Sequence, residues 1–189
     1  RFAIPVVGVA GSNGKTTCKE MPAAILAQAG TVLATRGNLN NHIGVPITLL
    51  WMRDSHRAAV IEMGASARRE IARLAAIAAP GIAIITNAGP AHLGGFGGTL
   101  RDVAEAKGEL FAGLPAGSVA VINRDDPFYG YWRGLRDDIT YRSFGLSAEA
   151  DYRAVDVQAL GVQGLRFRML TPSGAIPVNL PLAGGHNVS

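Results

Sequence analysis

The chain holds one cysteine, Cys18. That excludes a disulfide within the chain and fits a reducing compartment, so a cytoplasmic location is expected. Long apolar runs are missing too. A membrane-spanning helix needs roughly 18 apolar residues, and the longest candidate, Leu74 to Ile85, is interrupted by Pro80 and Gly81. No membrane span is expected. Aromatic residues make up only 6 %, which leaves little for base-stacking platforms and points away from nucleic acid as a partner. Charged residues are 17 % with no run of one sign, which argues against disorder. The 18 Lys+Arg against 14 Asp+Glu give +4, spread along the chain. That mild excess suits an anionic small substrate as well as nucleic acid and decides neither. The opening "RFAIPVVGVA" carries no signal-peptide cleavage pattern. It has no starting methionine, and "AGGHNVS" stops on a motif-like stretch. Both ends read as cut, so a domain excised from a longer protein is expected.

What is present is ample apolar material, 48 % over 189 residues. This is enough for one domain, or one with an appendage. Apolar runs alternate with helical patterns. Strands are predicted at Val6–Ala10, Thr31–Ala34, Ala58–Glu62, Gly81–Asn87 and 118–123. Helices are predicted over Lys15–Ala29, Ala67–Ala79 and Thr99–Ala112, with a short one after "RGNLNNHIGVP". Strands apolar throughout and separated by helices indicate a parallel sheet covered on both faces. After about residue 139 the texture changes to strand-like segments joined by glycine-containing turns. The fold class expected is α/β: a P-loop-type, mostly parallel sheet flanked by helices over 1–138, with a small antiparallel sheet over 139–182.

Gly11, Gly14, Lys15 and Thr16 of "GVAGSNGKTTCKE" lie between a predicted strand and a predicted helix. Glycines let backbone N–H groups curl around phosphate oxygens, and the helix N-terminus adds partial positive charge. Lys15 would reach the terminal phosphates, and the Thr16 hydroxyl would ligate Mg²⁺. The spacing is G-x-x-G-K-T, shorter than the strict phosphate-loop pattern, which would need glycine at Val9. The bland alternative is a glycine turn that merely opens a helix. Pro22 sits inside that helix and removes one ladder bond.

In a parallel sheet, ligands bind beyond the carboxyl ends of the strands. Glu62, Asn87 and Asn123 each close an apolar strand. Glu62 beside a phosphate loop is a natural Mg²⁺ ligand, direct or through water. Its alternatives are an arginine partner or a helix cap. For Asn87 and Asn123 turn formation competes, and for His92, in the glycine-rich loop "AGPAHLGGFGG", plain solvation does. No role attaches to His42 or His56. Lys107 falls at i+7 from Leu100, inside the apolar stripe of its helix. A lysine there must snorkel or pair, with Glu105 or Glu109 within reach. Partial burial would lower its pKa, and neutral amine can add CO2 to give a carbamate.

Taken in order, "GSNGKTT", "NLNNHIGVP", "VIEMGA", "NAGPAHLGGFGG", "AKGELF" and "GGHN" resemble the successive motifs of the central ATPase domain of the Mur ligases, over nearly the whole chain. "GNLNN-IGVP" and "AHL-GFG" look most like members that join D-Ala-D-Ala to UDP-N-acetylmuramoyl-tripeptide in peptidoglycan precursor synthesis. The resemblance implies an ATP-dependent ligase working through an acyl phosphate. It implies a nucleotide loop of Gly11, Ser12, Asn13, Gly14, Lys15, Thr16 and Thr17, with Asn87 nearby and His186 and Asn187 near the adenine. It implies two Mg²⁺ sites, one on Thr16 and Glu62, the other on His92 and a carbamylated Lys107. Lys15, Glu62, His92 and Lys107 would carry catalysis, in a monomer. Gly94 stands where related enzymes often carry glutamate. The N-terminal UDP-binding domain and the C-terminal domain of such enzymes are not in this chain, so the piece alone should bind ATP weakly and turn over poorly. Alternatives are a folylpolyglutamate synthetase-like ligase, against which "NLNN" argues, a P-loop NTPase, or a non-catalytic nucleotide-binding module.

Overall fold

A computed structural model describes residues 3–184. One sheet of nine strands runs through the molecule in the order β2-β3-β1-β4-β5-β6-β7-β8-β9. Strands β1 (Val6–Ala10), β2 (Thr31–Ala34), β3 (His56–Glu62), β4 (Ile82–Ile85), β5 (Val119–Asn123) and β6 (Thr140–Gly145) pair in parallel. Alternate residues of each strand feed opposite faces. Val7, Val9 and Val60 face Cys18, Ala23 and Leu26 of α1 (Lys15–Leu26). On the other face Ala10, Ile61, Ile85 and Ile122 pack with Ile71 and Leu74 of α3 (Glu70–Ala78), and with Leu110 and Phe111 of α5 (Leu100–Ala112). Both faces of the central strands are covered, which is why those strands are apolar without alternation.

The helices begin where local chemistry lets them. Thr99 caps α5, accepting from the Asp102 amide while the Asp102 carboxylate accepts from the Thr99 amide. Asn41 accepts from the Ile43 and Gly44 amides and starts α2 (Gly44–Leu50). Helix α1 passes through Pro22 and ends at Leu26, three residues short of the expected Ala29. Helix α3 starts at Glu70, not Ala67, because the Glu70 carboxylate accepts from the Ser66 and Ala67 amides and holds them in a turn. The short α4 (Leu93–Phe96) lies inside the expected glycine-rich loop.

The boundary expected at residue 139 moves. Strand β6 pairs in parallel with β5 from Val119↔Thr140 to Asn123↔Phe144, so it belongs to the core sheet. The short helix α6 (Tyr129–Arg133) lies in the β5–β6 connection, and its buried Trp132 donates to the Ala104 carbonyl. A crossover of this kind returns the chain to the same edge, which makes the next pairing parallel. Strand β7 (Tyr152–Ala159) still pairs in parallel with β6, and antiparallel pairing begins between β7 and β8 (Leu165–Thr171) and continues to β9 (Gly174–Leu180). Strand β7 meets β6 through two residue pairs, Phe144↔Tyr152 and Gly145↔Arg153, and then runs on past the end of β6. No helix among the described residues is long and apolar enough to cross a membrane.

Candidate functional site

The parallel strands bring the chain segments after β1, β2, β3 and β4 to one edge of the sheet. After β1 the backbone turns through Gly11 (φ 147°) and Gly14 (φ 73°) before α1 starts at Lys15. A Cβ on Gly11 would stand 1.9 Å from the Thr86 hydroxyl, so only glycine fits against the end of β4. The loop is tied to the segment after β4. The Ser12 amide donates to the Asn87 carbonyl, the Asn13 amide donates to Asn87 Oδ1, and Asn87 Nδ2 donates back to the Asn13 carbonyl. The Gly89 amide donates to the Ser12 hydroxyl, and Thr86 Oγ1 donates to the Asn13 carbonyl. Asn87 thus braces the loop. Asn123 donates to the Thr86 carbonyl and accepts from the Asp125 amide; it is a tie between strand ends and a turn former.

Glu62, at the end of β3, is 2 % exposed. Its two carboxylate oxygens have separate partners: Thr16 Oγ1 donates to Oε2 at 2.9 Å, and Asn40 Nδ2 donates to Oε1 at 2.8 Å. Neither an arginine partner nor a helix cap, the two alternatives for Glu62, is what its oxygens meet. Asn40 is drawn in by a backbone bond from Gly64, where a Cβ would come within 2.8 Å of Asn40 Oδ1. The Glu62 amide donates to the Thr35 hydroxyl at the end of β2, which fixes the strand end itself.

Gly11, Ser12, Lys15, Asn40, His92 and Lys107 line one crevice of about 670 Å³. Lys15 Nζ donates to the Ser12 carbonyl at 2.9 Å, so the lysine lies folded over its own loop. Burial lowers its pKa, opposed by the negative charge of Glu62. Lys107 is 3 % exposed, and its Nζ stands 4.8 Å from the centre of the Phe96 ring. Neither proposed carboxylate partner takes it. Glu105 pairs with Arg68 and Arg101, while Glu109 accepts from the Arg69 and Ala72 amides. Burial, with Lys15 repelling from nearby, pushes the Lys107 pKa down to about 8, against the attraction of Glu109 and Glu70. Leu100, which set the phase of the expected stripe, is 42 % exposed; the buried face runs through Val103, Ala106, Lys107 and Leu110 instead. His92 is exposed, in the left-handed conformation at φ 57°, at the start of α4.

The remaining predicted positions separate. Asn13, Gly14, Thr17 and Asn87 line a second, mostly apolar depression of about 740 Å³ beside α1, with Pro22, Ile84 and Val121. His186 and Asn187 lie outside the described residues. Among the described residues no three His, Cys, Asp or Glu side chains gather into a metal cluster. A divalent ion here would therefore draw most of its oxygens from a bound polyphosphate and water, the usual habit of Mg²⁺. Two features were missed in the sequence: the grip of Asn40 on Glu62, and the crevice wall of Arg68, Arg69 and Arg73. The "NLNN" motif singled out the first residue without its role. The second carries no local signal, because a run of arginines on a helix reads as a solvated face.

The chain matches the family model described as Mur ligase middle domain over residues 9–189. It is 43 % identical over 185 residues to the UDP-N-acetylmuramoyl-tripeptide–D-alanyl-D-alanine ligase of Escherichia coli (strain K12), covering 97 % of this chain and 40 % of that protein. A crystal structure of MurF from Acinetobacter baumannii superposes with TM-score 0.92 at 39 % identity, over 98 % of this chain and 40 % of that one. The structure of MurF ligase from Thermotoga maritima in complex with ADP superposes with TM-score 0.85 at 31 % identity, over 98 % and 43 %. The chain thus spans about two fifths of the length of the relatives it matches.

Proposed function

Since this chain belongs to the Mur ligase middle-domain family, we propose that it is the ATP-binding core of a cytoplasmic ligase. The reaction proposed joins D-Ala-D-Ala to UDP-N-acetylmuramoyl-tripeptide and hydrolyses ATP to ADP and phosphate. The observation that carries this reading is the convergence of the phosphate loop, the Thr16–Glu62–Asn40 cluster, His92 and Lys107 at one edge of the sheet.

The chemistry is a transfer of the γ-phosphoryl group of ATP to the acceptor's terminal carboxylate, followed by attack of the dipeptide amine on the acyl phosphate and loss of phosphate. Such a transfer depends on positioning and on neutralising charge. The Ser12 and Asn13 amides are held by Asn87, so the amides of Gly14 and Lys15 at the start of α1 would cradle the phosphates, and Lys15 would leave the Ser12 carbonyl to meet them. Thr16 and Glu62 would hold one Mg²⁺, which neutralises charge on the β- and γ-oxygens when bound. Asn40 keeps Oε1 of Glu62 aligned, and Oε2, which accepts from the Thr16 hydroxyl, would be the oxygen that turns to the metal. His92 and Lys107 would hold a second Mg²⁺. Lys107 suits that task as its carbamate: burial keeps part of the amine neutral near pH 8, and addition of CO2 releases one proton and creates an oxygen ligand. We read the enzyme as a monomer.

The test is phosphate release by the full-length enzyme. Release should require both UDP-N-acetylmuramoyl-tripeptide and D-Ala-D-Ala, and Lys107→Ala and His92→Ala should each lower it by about 100-fold or more. A phosphate-loop NTPase with no second metal site would lose nothing with either substitution, and release indifferent to the dipeptide would defeat the ligase reading.

A further inference from the structure

The arginines of this protein are almost all engaged. Among the described residues, every arginine side chain but those of Arg57, Arg69 and Arg73 has a carboxylate, carbonyl, amide or aromatic-ring partner. Arg57 packs its stem beneath Gly30 at the start of β3. Arg69 and Arg73 both line the crevice that contains Lys15 and Lys107. Arg69 is the residue that caps α3 and Arg73 lies in its first turn, and the crevice brings the two together.

Arg69 is held there at a cost. Its backbone is left-handed, φ 68°, a conformation that a side chain with a Cβ rarely adopts. The Glu109 carboxylate imposes it, one oxygen accepting from the Arg69 amide at 2.7 Å and the other from the Ala72 amide at 3.1 Å. The acids nearby are spent elsewhere. Glu70 accepts from the Ser66 and Ala67 amides, and Asp102 and Glu105 pair with Arg68. Two guanidinium groups therefore face a crevice whose own carboxylate, Glu70, is turned to the Ser66 and Ala67 amides and pairs with neither of them. A strained residue whose side chain has no partner in the free protein is the pattern of a site shaped for a ligand.

We propose that Arg69 and Arg73 form a subsite for a carboxylate of the peptide acceptor other than the one being activated. This rests on the ligase reading, in which Lys15 serves the triphosphate, and His92 and Lys107 serve the reacting end. The guanidinium fork matches a carboxylate with two parallel hydrogen bonds, and Arg at both positions favours an anion of defined orientation over a diffuse charge. The pair would orient the peptide so that its terminal carboxylate meets the γ-phosphate.

Steady-state kinetics of the full-length enzyme test this, with Arg69→Gly, Arg73→Gln and the double variant. Glycine at 69 relieves the left-handed strain, so its melting temperature should stay level or rise while the guanidinium is lost. Each single variant should raise KM for UDP-N-acetylmuramoyl-tripeptide by about 10-fold, and the double variant by more, while KM for ATP changes less than about 2-fold. An acceptor amidated at its non-reacting carboxylates should lose the same factor with the wild-type enzyme and none with the double variant. A rise confined to KM for ATP would assign the pair to the nucleotide and overturn the proposal. So would an unchanged KM for the acceptor in variants of an otherwise active enzyme. Wild-type enzyme whose phosphate release ignores tripeptide and dipeptide would overturn the ligase reading, and this one with it.

Discussion

Lys107 concentrates the tension between folding and function in one side chain. It titrates near 8 in the folded protein against an ordinary 10.5, because burial penalises the ammonium and Lys15 adds repulsion. Between those values the unfolded chain binds more protons than the folded one, so stability rises with pH across that window. Below about pH 8 the full cost of the buried charge is present. Lys107→Met should therefore stabilise the isolated domain at pH 7 by up to about 3 kcal/mol. The gain should shrink as pH climbs from 8 toward 10.5. Thermal melts of both proteins at pH 7 and 10, in buffer free of CO2 and metal, check this; equal gains at the two values would contradict it. The position of Lys107 was legible, since a cation inside an apolar stripe stands out. Its isolation from Glu105 and Glu109 was not. Arg101, four residues before Glu105, was within reach of helical spacing, but Arg68 and the amides at the start of α3 are distant partners that leave no mark on it. Asn40 and the pair Arg69–Arg73 were hidden for the same reason.

At the scale of elements, α1 tolerates a residue it should reject. Pro22 has no N–H, so the Cys18 carbonyl lacks its donor from the following turn, yet the helix continues to Leu26. The helix is held by its apolar contacts with Val7, Val9 and Val60, which outweigh the lost bond. Pro22→Ala should then raise stability by about 1–3 kcal/mol, read as a higher denaturation midpoint with unchanged slope. A lower midpoint would mean that the proline ring contributes packing that alanine cannot replace. The parallel strands and the helices between them were readable because each carries its own periodicity. The partner of β6 was not. Parallel and antiparallel strands of that length share one residue pattern, and the deciding element, α6, is only five residues long.

Taken whole, the molecule has a dense end and a thin end. Strands β1 and β3 to β5 are covered by α1, α3 and α5, whereas β7 and β9 are largely exposed, β8 between them is mostly half-buried, and β7 pairs with the core sheet through only two residue pairs with β6. Hydrogen exchange should divide accordingly. Amides of β1, β3 and β4 should exchange only with global unfolding, and those of β8 and β9 at least about 100-fold faster. Uniform protection across the sheet would show that the seam at β6 transmits full cooperativity.

The knot between Ser12, Asn13, Asn87 and Gly89 has one more implication. It fastens the cradle for phosphate to the stretch of backbone that leads, three residues on, to His92. On the proposed reading, a nucleotide arriving at that loop would meet a backbone already fastened to the segment that carries the imidazole, so the two halves of the site would be delivered as one preassembled piece.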